Sequence, residues 1–286
     1  MFPHGQQYVQ PSPVVSSRLA FWVPGCINLT TATSTLSLSL NKSLPPDVEP
    51  MNSACESSQS APLPRQPRLV LSNIYGFPPN RSTLGATAYF IVEKDAEGNP
   101  ANLLVDCPPQ EDSTTEFIQA QGGVRWWVLT HRDGHGTAAT LQRTLQCPIV
   151  VQEQEAYLLP EVPHLHPYRQ ELALGDSALV IWTPGYSPGS ACLYYRGHGG
   201  VLFTGRHLLP TPEGQILPLR FSKTFHWPRQ LQQVRHLQER FTAESLAYLC
   251  PGANTGFLRG QRLVADAYSR LQDIDVEGLG SHDVFL

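Results

Sequence analysis

The sequence predicts an α/β protein whose helices cover stacked β-sheets. Three observations support this. Two apolar runs at 87–92 and 102–106, joined by an acidic turn containing Gly98 and Pro100, read as a β-hairpin. Downstream, short apolar runs alternate with stretches of helical periodicity, the order that places helices against sheets. Several of those runs lead straight into loops rich in Gly and Pro, as strands do when they feed tight connections. At 286 residues and 41% hydrophobic composition, the chain can bury a sizeable core.

Taken in order, strand structure is expected to begin at 68–72 and to continue through the hairpin. Residues 114–121 suit a short helix, which Gly122-Gly123 ends before the apolar strand 124–129. Ala138, Leu141 and Leu145 recur at helical spacing, and 148–151 is again strand-like. Three further strands are expected at 178–182, 190–195 and 200–204. Leu231, Val234, Leu237 and Phe241 trace a helix over 228–241, a strand follows at 246–250, and a last amphipathic helix spans 261–271 through Leu263, Ala267 and Leu271. One domain over 68–275 accounts for all of them, with 276–286 as a C-terminal tail.

Residues 1–67 are expected to form a leader and linker. The first 46 contain no Asp or Glu and are rich in Ser and Thr, and 43–67 is rich in Pro and Ser, which cannot bury enough apolar surface to offset ordering entropy. Such a leader fits a transit peptide, and with it a plastid destination, or an unstructured extension of a cytoplasmic protein; Met51 is an alternative start. A net charge of -4 without a concentrated Lys/Arg run gives no case for nucleic acid, and no apolar run is long enough to cross a membrane. The partner left by these exclusions is a small molecule or another protein. The six cysteines are scattered, without CxxC or Cys/His zinc spacing, which favours reduced thiols in the core.

Four strand-end segments carry whatever chemistry the chain has: 129–136 (LTHRDGHG), 183–190 (TPGYSPGS), 202–207 (LFTGRH) and 250–254 (CPGAN). Loops fixed by a sheet can hold imidazole and carboxylate groups in place for a hydrolytic zinc, which takes about three protein ligands and an open position for water. Together these segments resemble the signature loops of the metallo-β-lactamase superfamily, which read THxHxDH, TPGHTPGS, LFTGD and PGH. The resemblance runs from about residue 69 to 272 and implies a four-layer αββα sandwich with two pseudo-symmetric sheets. A closer likeness is to a cyanobacterial and plastid branch of that fold, through Thr130-His131-Arg132-Asp133, Leu202-Phe203-Thr204-Gly205-Arg206-His207-Leu208 and Phe225-His226-Trp227-Pro228. In that branch the activity implied is zinc hydrolysis of ester-like or thioester-like substrates.

The glycines and prolines of those loops are kept, whereas the ligands are mostly exchanged. His131 matches the first histidine; Asp133, His135 and Gly136 stand at the next three ligand positions, Tyr186 at the next histidine, Arg206 at the bridging aspartate and Ala253 at the last histidine. A guanidinium cannot lose its proton or bind a metal, so Arg206 is expected to pair with Asp133 as a fixed cation where zinc would sit. Tyr186, Arg206, His207 and Asn254 form the candidate ligand pocket. Tyr186 either donates a hydrogen bond to a ligand or packs on the emptied cavity. Two functions follow: a binding or interaction module that has lost hydrolysis and needs no cofactor, or a hydrolase on a reduced mononuclear zinc site of His131, Asp133 and His135. Other polar residues have plainer expectations: Asp106 caps a turn, Glu153 and Glu155 are solvated, His164 and His166 lie on a surface loop, and His198 sits in a hairpin turn. No GxSxG, GxGxxG or GxxxxGK[ST] motif is present.

Overall fold

The computed structural model describes residues 66–281. The leader and linker expected over 1–67 fall almost wholly outside them, as do Cys26 and Cys55. A first sheet has seven strands in sequence order: β1 (Arg68–Leu71), β2 (Ile74–Gly76), β3 (Tyr89–Ile91), β4 (Leu103–Val105), β5 (Trp126–Val128), β6 (Ile149–Gln152) and β7 (Leu165–Tyr168). The first four pair antiparallel, and β4 to β7 run parallel. Helix α1 (Asp112–Ala120) crosses from β4 to β5, and α2 (Ala138–Leu145) from β5 to β6.

The second sheet is built from β8 (Glu171–Leu174), β9 (Ala178–Trp182), β10 (Ala191–Tyr195), β11 (Val201–Gly205), β14 (Tyr248–Pro251) and β15 (Val264–Ala265). Its order is β15-β14-β11-β10-β9-β8, with β11 and β14 parallel. Between β11 and β14 the chain forms a small ribbon, β12 (Leu209–Pro210) with β13 (Ile216–Leu217), and then helix α3 (Trp227–Arg240). Helices α4 (Ala267–Gln272) and α5 (Val276–Ser281) follow.

Side-chain alternation explains the layering. Along β3 and β4, Tyr89, Ile91, Leu103 and Val105 join Val180, Leu193, Val201 and Phe203 in a core between the two sheets. Their neighbours Phe90 and Leu104 turn the other way, onto Ile118 of α1 and Leu141 and Leu145 of α2. On the far side Cys192, Leu202 and Leu249 meet Leu231, Val234 and Leu237 of α3 and Leu271 of α4. Strands buried on both faces read as unbroken apolar runs, as these do. The layers are therefore helix, sheet, sheet, helix. Cys107, Cys147, Cys192 and Cys250 are free and buried within them.

Three expectations change. The helix expected over 261–271 begins only at Ala267, because Val264–Ala265 pairs with β14 and Asp266 adopts a left-handed backbone that no helix continues through. His166 belongs to edge strand β7, where Pro167 is tolerated because edge positions spare an amide, and the imidazole stands edge-on to Trp126 at 5.6 Å. Residues 276–281, expected as tail, form α5 with Val276 buried against α3 and α4.

Candidate functional site

Strand β5 ends at Val128 and delivers Thr130 and His131 to the rim of the sandwich. Asp106, one residue beyond β4, anchors them. Its buried carboxylate accepts from Thr130 N at 2.8 Å and from Thr130 Oγ1 at 2.8 Å on each oxygen. Thr130 Oγ1 also lies 2.9 Å from His131 Nδ1. Burial pushes the Asp106 carboxyl up to about 6, against the Thr130 hydrogen bonds and the charge of Arg206, which pull it down. Replacing Asp106 with alanine would strand the Thr130 amide and hydroxyl in the core, at a cost of about 3 kcal/mol. Urea unfolding of Asp106→Ala measures that loss, with Asp106→Asn, which keeps one acceptor, expected to lose less.

Backbone bonds tie these loops together, two of them across the two sheets and one within the second. Ala191 N donates to Thr130 O at 2.8 Å, Gly252 N to Gly205 O at 2.8 Å, and Thr87 N to Gly252 O at 2.7 Å. Gly205 (φ 50°) has no room for a side chain, since a Cβ there would lie 2.2 Å from Thr130 Oγ1. Gly185 presses on helix α3, where a Cβ would lie 2.4 Å from Gln230 Cα.

Tyr186 occupies the centre of the cleft and is only 2% exposed. Its hydroxyl donates to Asp133 Oδ2 at 2.5 Å. The ring meets His131 edge-on at 5.5 Å and Phe221 at 6.1 Å, and the Arg206 guanidinium carbon lies 5.8 Å from its centre. Arg132 Nη2 closes one side by donating to Lys223 O at 2.7 Å. Burial raises the Tyr186 phenol, and its bond to Asp133 raises it further.

The ion pair expected between Arg206 and Asp133 is not formed. Tyr186 has taken the carboxylate, and Arg206 Nη2 donates instead to the carbonyls of Thr83 at 3.3 Å and Leu84 at 3.0 Å. The cation still acts on the cleft through space, adding to the burial that holds His131 well below the usual imidazole range.

His131, Asp133 and Arg206 thus gather around Tyr186, and His135 lies within electrostatic reach of His131 and Asp133. The other two pocket residues stand apart from them. His207 is buried with neither ring nitrogen bonded, its carbonyl accepts from Gln230 Nε2 at 3.1 Å, and burial alone brings its imidazole down to about 3. Asn254 turns its amide to Pro210 O at 3.4 Å. The aromatic cluster also divides: Phe221 touches Tyr186, Trp227 joins the core, His226 caps α3 by accepting from Arg229 N, and Phe225 is exposed.

Two residues have roles beyond those expected of them. Asp106 does more than cap a turn, and the clue was a carboxylate ending the strand beside the one that carries His131. Glu155, expected in solvent, is 1% exposed and accepts from Gly189 N at 2.9 Å, filling the space a side chain on Gly189 would need. Glu153 is indeed outside, paired with Arg169.

Buried histidines make stability pH-dependent. Burial lowers His135 to about 4 and His207 to about 3 from 6.5, so the unfolded chain binds those protons first and stability falls as pH drops below about 6.5. Asp106 has the opposite sign, its folded carboxyl holding a proton below about 6 that the unfolded one releases. The two histidines outweigh it. Stability is expected to decline from pH 7 to pH 4, and His207→Leu to flatten that decline by up to about 3 kcal/mol, read by denaturant midpoints across the range.

Zinc is the ion this arrangement of loops would suggest, and the residues fit it poorly. His131 Nε2 and His135 Nε2 are buried without a partner, as ligands would be. Asp133, however, is held by Tyr186, and a permanent cation stands beside them. Among the described residues no three His, Cys, Asp or Glu side chains are placed to hold a metal ion.

Solved structures share the architecture. An archaeal metallo-β-lactamase superfamily protein from Sulfolobus tokodaii aligns with a TM-score of 0.51 at 13% identity, over 75% of this chain and 89% of that one. The B3 metallo-β-lactamase BLEG-1 aligns at 0.51 and 16% identity, over 71% and 97%. Metallo-β-lactamase SMB-1, bound to 2-mercaptoethanesulfonate, aligns at 0.52 and 14%, over 76% and 96%. The chain has the metallo-β-lactamase fold. No family model matches the sequence, and no curated protein matches it. Within this metallo-β-lactamase fold, the rim where β5, β9 and β11 end is where Tyr186 and Arg206 sit. No described helix is long and apolar enough to cross a membrane.

Proposed function

We propose that this chain is a binding or interaction module on the metallo-β-lactamase fold, with metal hydrolysis lost and the former reaction cleft filled by its own side chains. One observation carries the reading: Tyr186 lies between His131 and Arg206 and binds Asp133 at 2.5 Å, so the carboxylate that would serve a metal serves a phenol. An effective catalytic zinc needs about three protein ligands, and a metal would compete with Tyr186 for Asp133 Oδ2. The partner is a small molecule or a protein.

A second reading has its own support. The Nε2 atoms of His131 and His135 are buried and unpartnered, which suits a reduced mononuclear site with Asp133 in an ester or thioester hydrolase. Metal analysis of protein purified without chelator separates the two. A folded, metal-free chain supports the module. Near-stoichiometric zinc or iron that disappears on His131→Ala overturns it in favour of the hydrolase.

A further inference from the structure

Two atoms in the cleft face opposite chemical demands, and together they describe a ligand. The first is His131 Nε2. Thr130 Oγ1 has a single proton and lies 2.8 Å from both Asp106 oxygens, so the proton goes to that carboxylate. His131 Nδ1, 2.9 Å from the same oxygen, must then be the donor of that contact. The imidazole is therefore left with a lone pair on Nε2, in a residue 1% exposed, and no described group answers it.

The second atom is Arg206 Nε. Both hydrogens of Nη2 are used on the Thr83 and Leu84 carbonyls, which fixes the plane of the guanidinium. Its Nε–H is buried and has no acceptor. Both groups flank the Tyr186 ring, at 5.5 Å and 5.8 Å, and Gly205 brings the chain of Arg206 alongside the His131 imidazole.

A metal cation would satisfy the imidazole and be repelled by the guanidinium. A simple anion would satisfy the guanidinium and meet a lone pair at the imidazole. A group with an acceptor beside a donor suits both. Arg206 and Arg132 both act on this cleft and Asp133 offsets one of them, so a single positive charge is left to balance, which favours a carboxylate over a phosphate dianion. We propose that the cleft binds a small carboxylate bearing an adjacent hydroxyl, the carboxylate accepting from Arg206 Nε–H and the hydroxyl donating to His131 Nε2, once Tyr186 has swung aside.

This proposal rests on the metal-free reading above, so the experiment measures both. Metal content is determined first on protein purified without chelator. Glycolate and acetate are then titrated into the same protein with chelator present, following the histidine ring and arginine Nε resonances by NMR. The expected result is saturable binding, with glycolate about tenfold tighter than acetate through the added hydrogen bond. Arg206→Met should abolish both titrations. Tyr186→Ala, which removes the cover, should strengthen them.

Equal affinity for the two acids overturns the proposal, as does binding that survives Arg206→Met, or no saturable binding to wild type and Tyr186→Ala alike. A metal-free protein that ignores glycolate sinks only the proposal. Stoichiometric metal on His131 sinks the underlying reading along with it.

Discussion

Changing Tyr186 to histidine and Arg206 to aspartate together is expected to give a chain that binds about one zinc ion after purification in zinc-containing buffer, where the parent binds little. The charge term is large. A dication about 6 Å from a guanidinium is repelled by about 5 kcal/mol at an effective dielectric near 20, and the substitution replaces that repulsion with attraction. Tyr186→His releases Asp133 from its 2.5 Å hydrogen bond and adds an imidazole to His131 and His135. Either change alone leaves one obstacle standing, so the single variants should bind far more weakly. Zinc content by mass spectrometry, with circular dichroism to confirm folding, reads the outcome. A folded double variant that stays free of zinc would show that the cleft has lost the shape of a metal site as well as its ligands.

Gly185→Ala is expected to be a severely damaging single methyl, costing about 4 kcal/mol or preventing folding. A Cβ at this position would stand 2.3 Å from Gln230 Cβ, 2.4 Å from its Cα and 2.6 Å from its amide nitrogen. Those are atoms of helix α3, which cannot yield without leaving the second sheet. Gly175→Ala is the matched control. Its φ of 67° is left-handed and Gly185's is 154°, both unfavourable to a side chain, yet nothing lies within 4 Å of the carbon added at Gly175, so about 1 kcal/mol of backbone strain is all it should cost. Thermal and urea unfolding of the pair distinguish a packing requirement from a backbone one. If both cost the same, the contact between the 183–190 loop and α3 is looser than described.

The fold was readable because the inner strands of both sheets, such as Tyr89–Ile91, Leu103–Val105 and Val201–Gly205, are buried on two faces and appear as apolar runs. Edge strands were harder. Leu165–Tyr168 contains Pro167, follows Pro163 closely and exposes His166, so its composition resembles a loop although its backbone pairs with β6. Within the cleft, the nearness of the loops that carry His131, Asp133, Tyr186 and Arg206 followed from their places at strand ends. Their pairing did not. Charge alone matched Arg206 with Asp133, whereas a phenol close enough to bind the carboxylate displaced it, and carbonyls at Thr83 and Leu84 took up the guanidinium. Those carbonyls come from a turn more than a hundred residues away in sequence, and a carbonyl carries no residue-type signature. Glu155 was missed for a related reason: a glutamate between other polar residues looks solvated until the loop holding Gly189 folds over it.

The rim of the cleft is stitched by peptide groups: Ala191 to Thr130, Gly252 to Gly205, Thr87 to Gly252. Peptide groups are the same at every position, whatever the side chain attached. The frame therefore does not depend on which side chains line it, and inward-pointing residues can change their chemistry while the walls stand still. Such walls would keep their outline whatever groups came to line them.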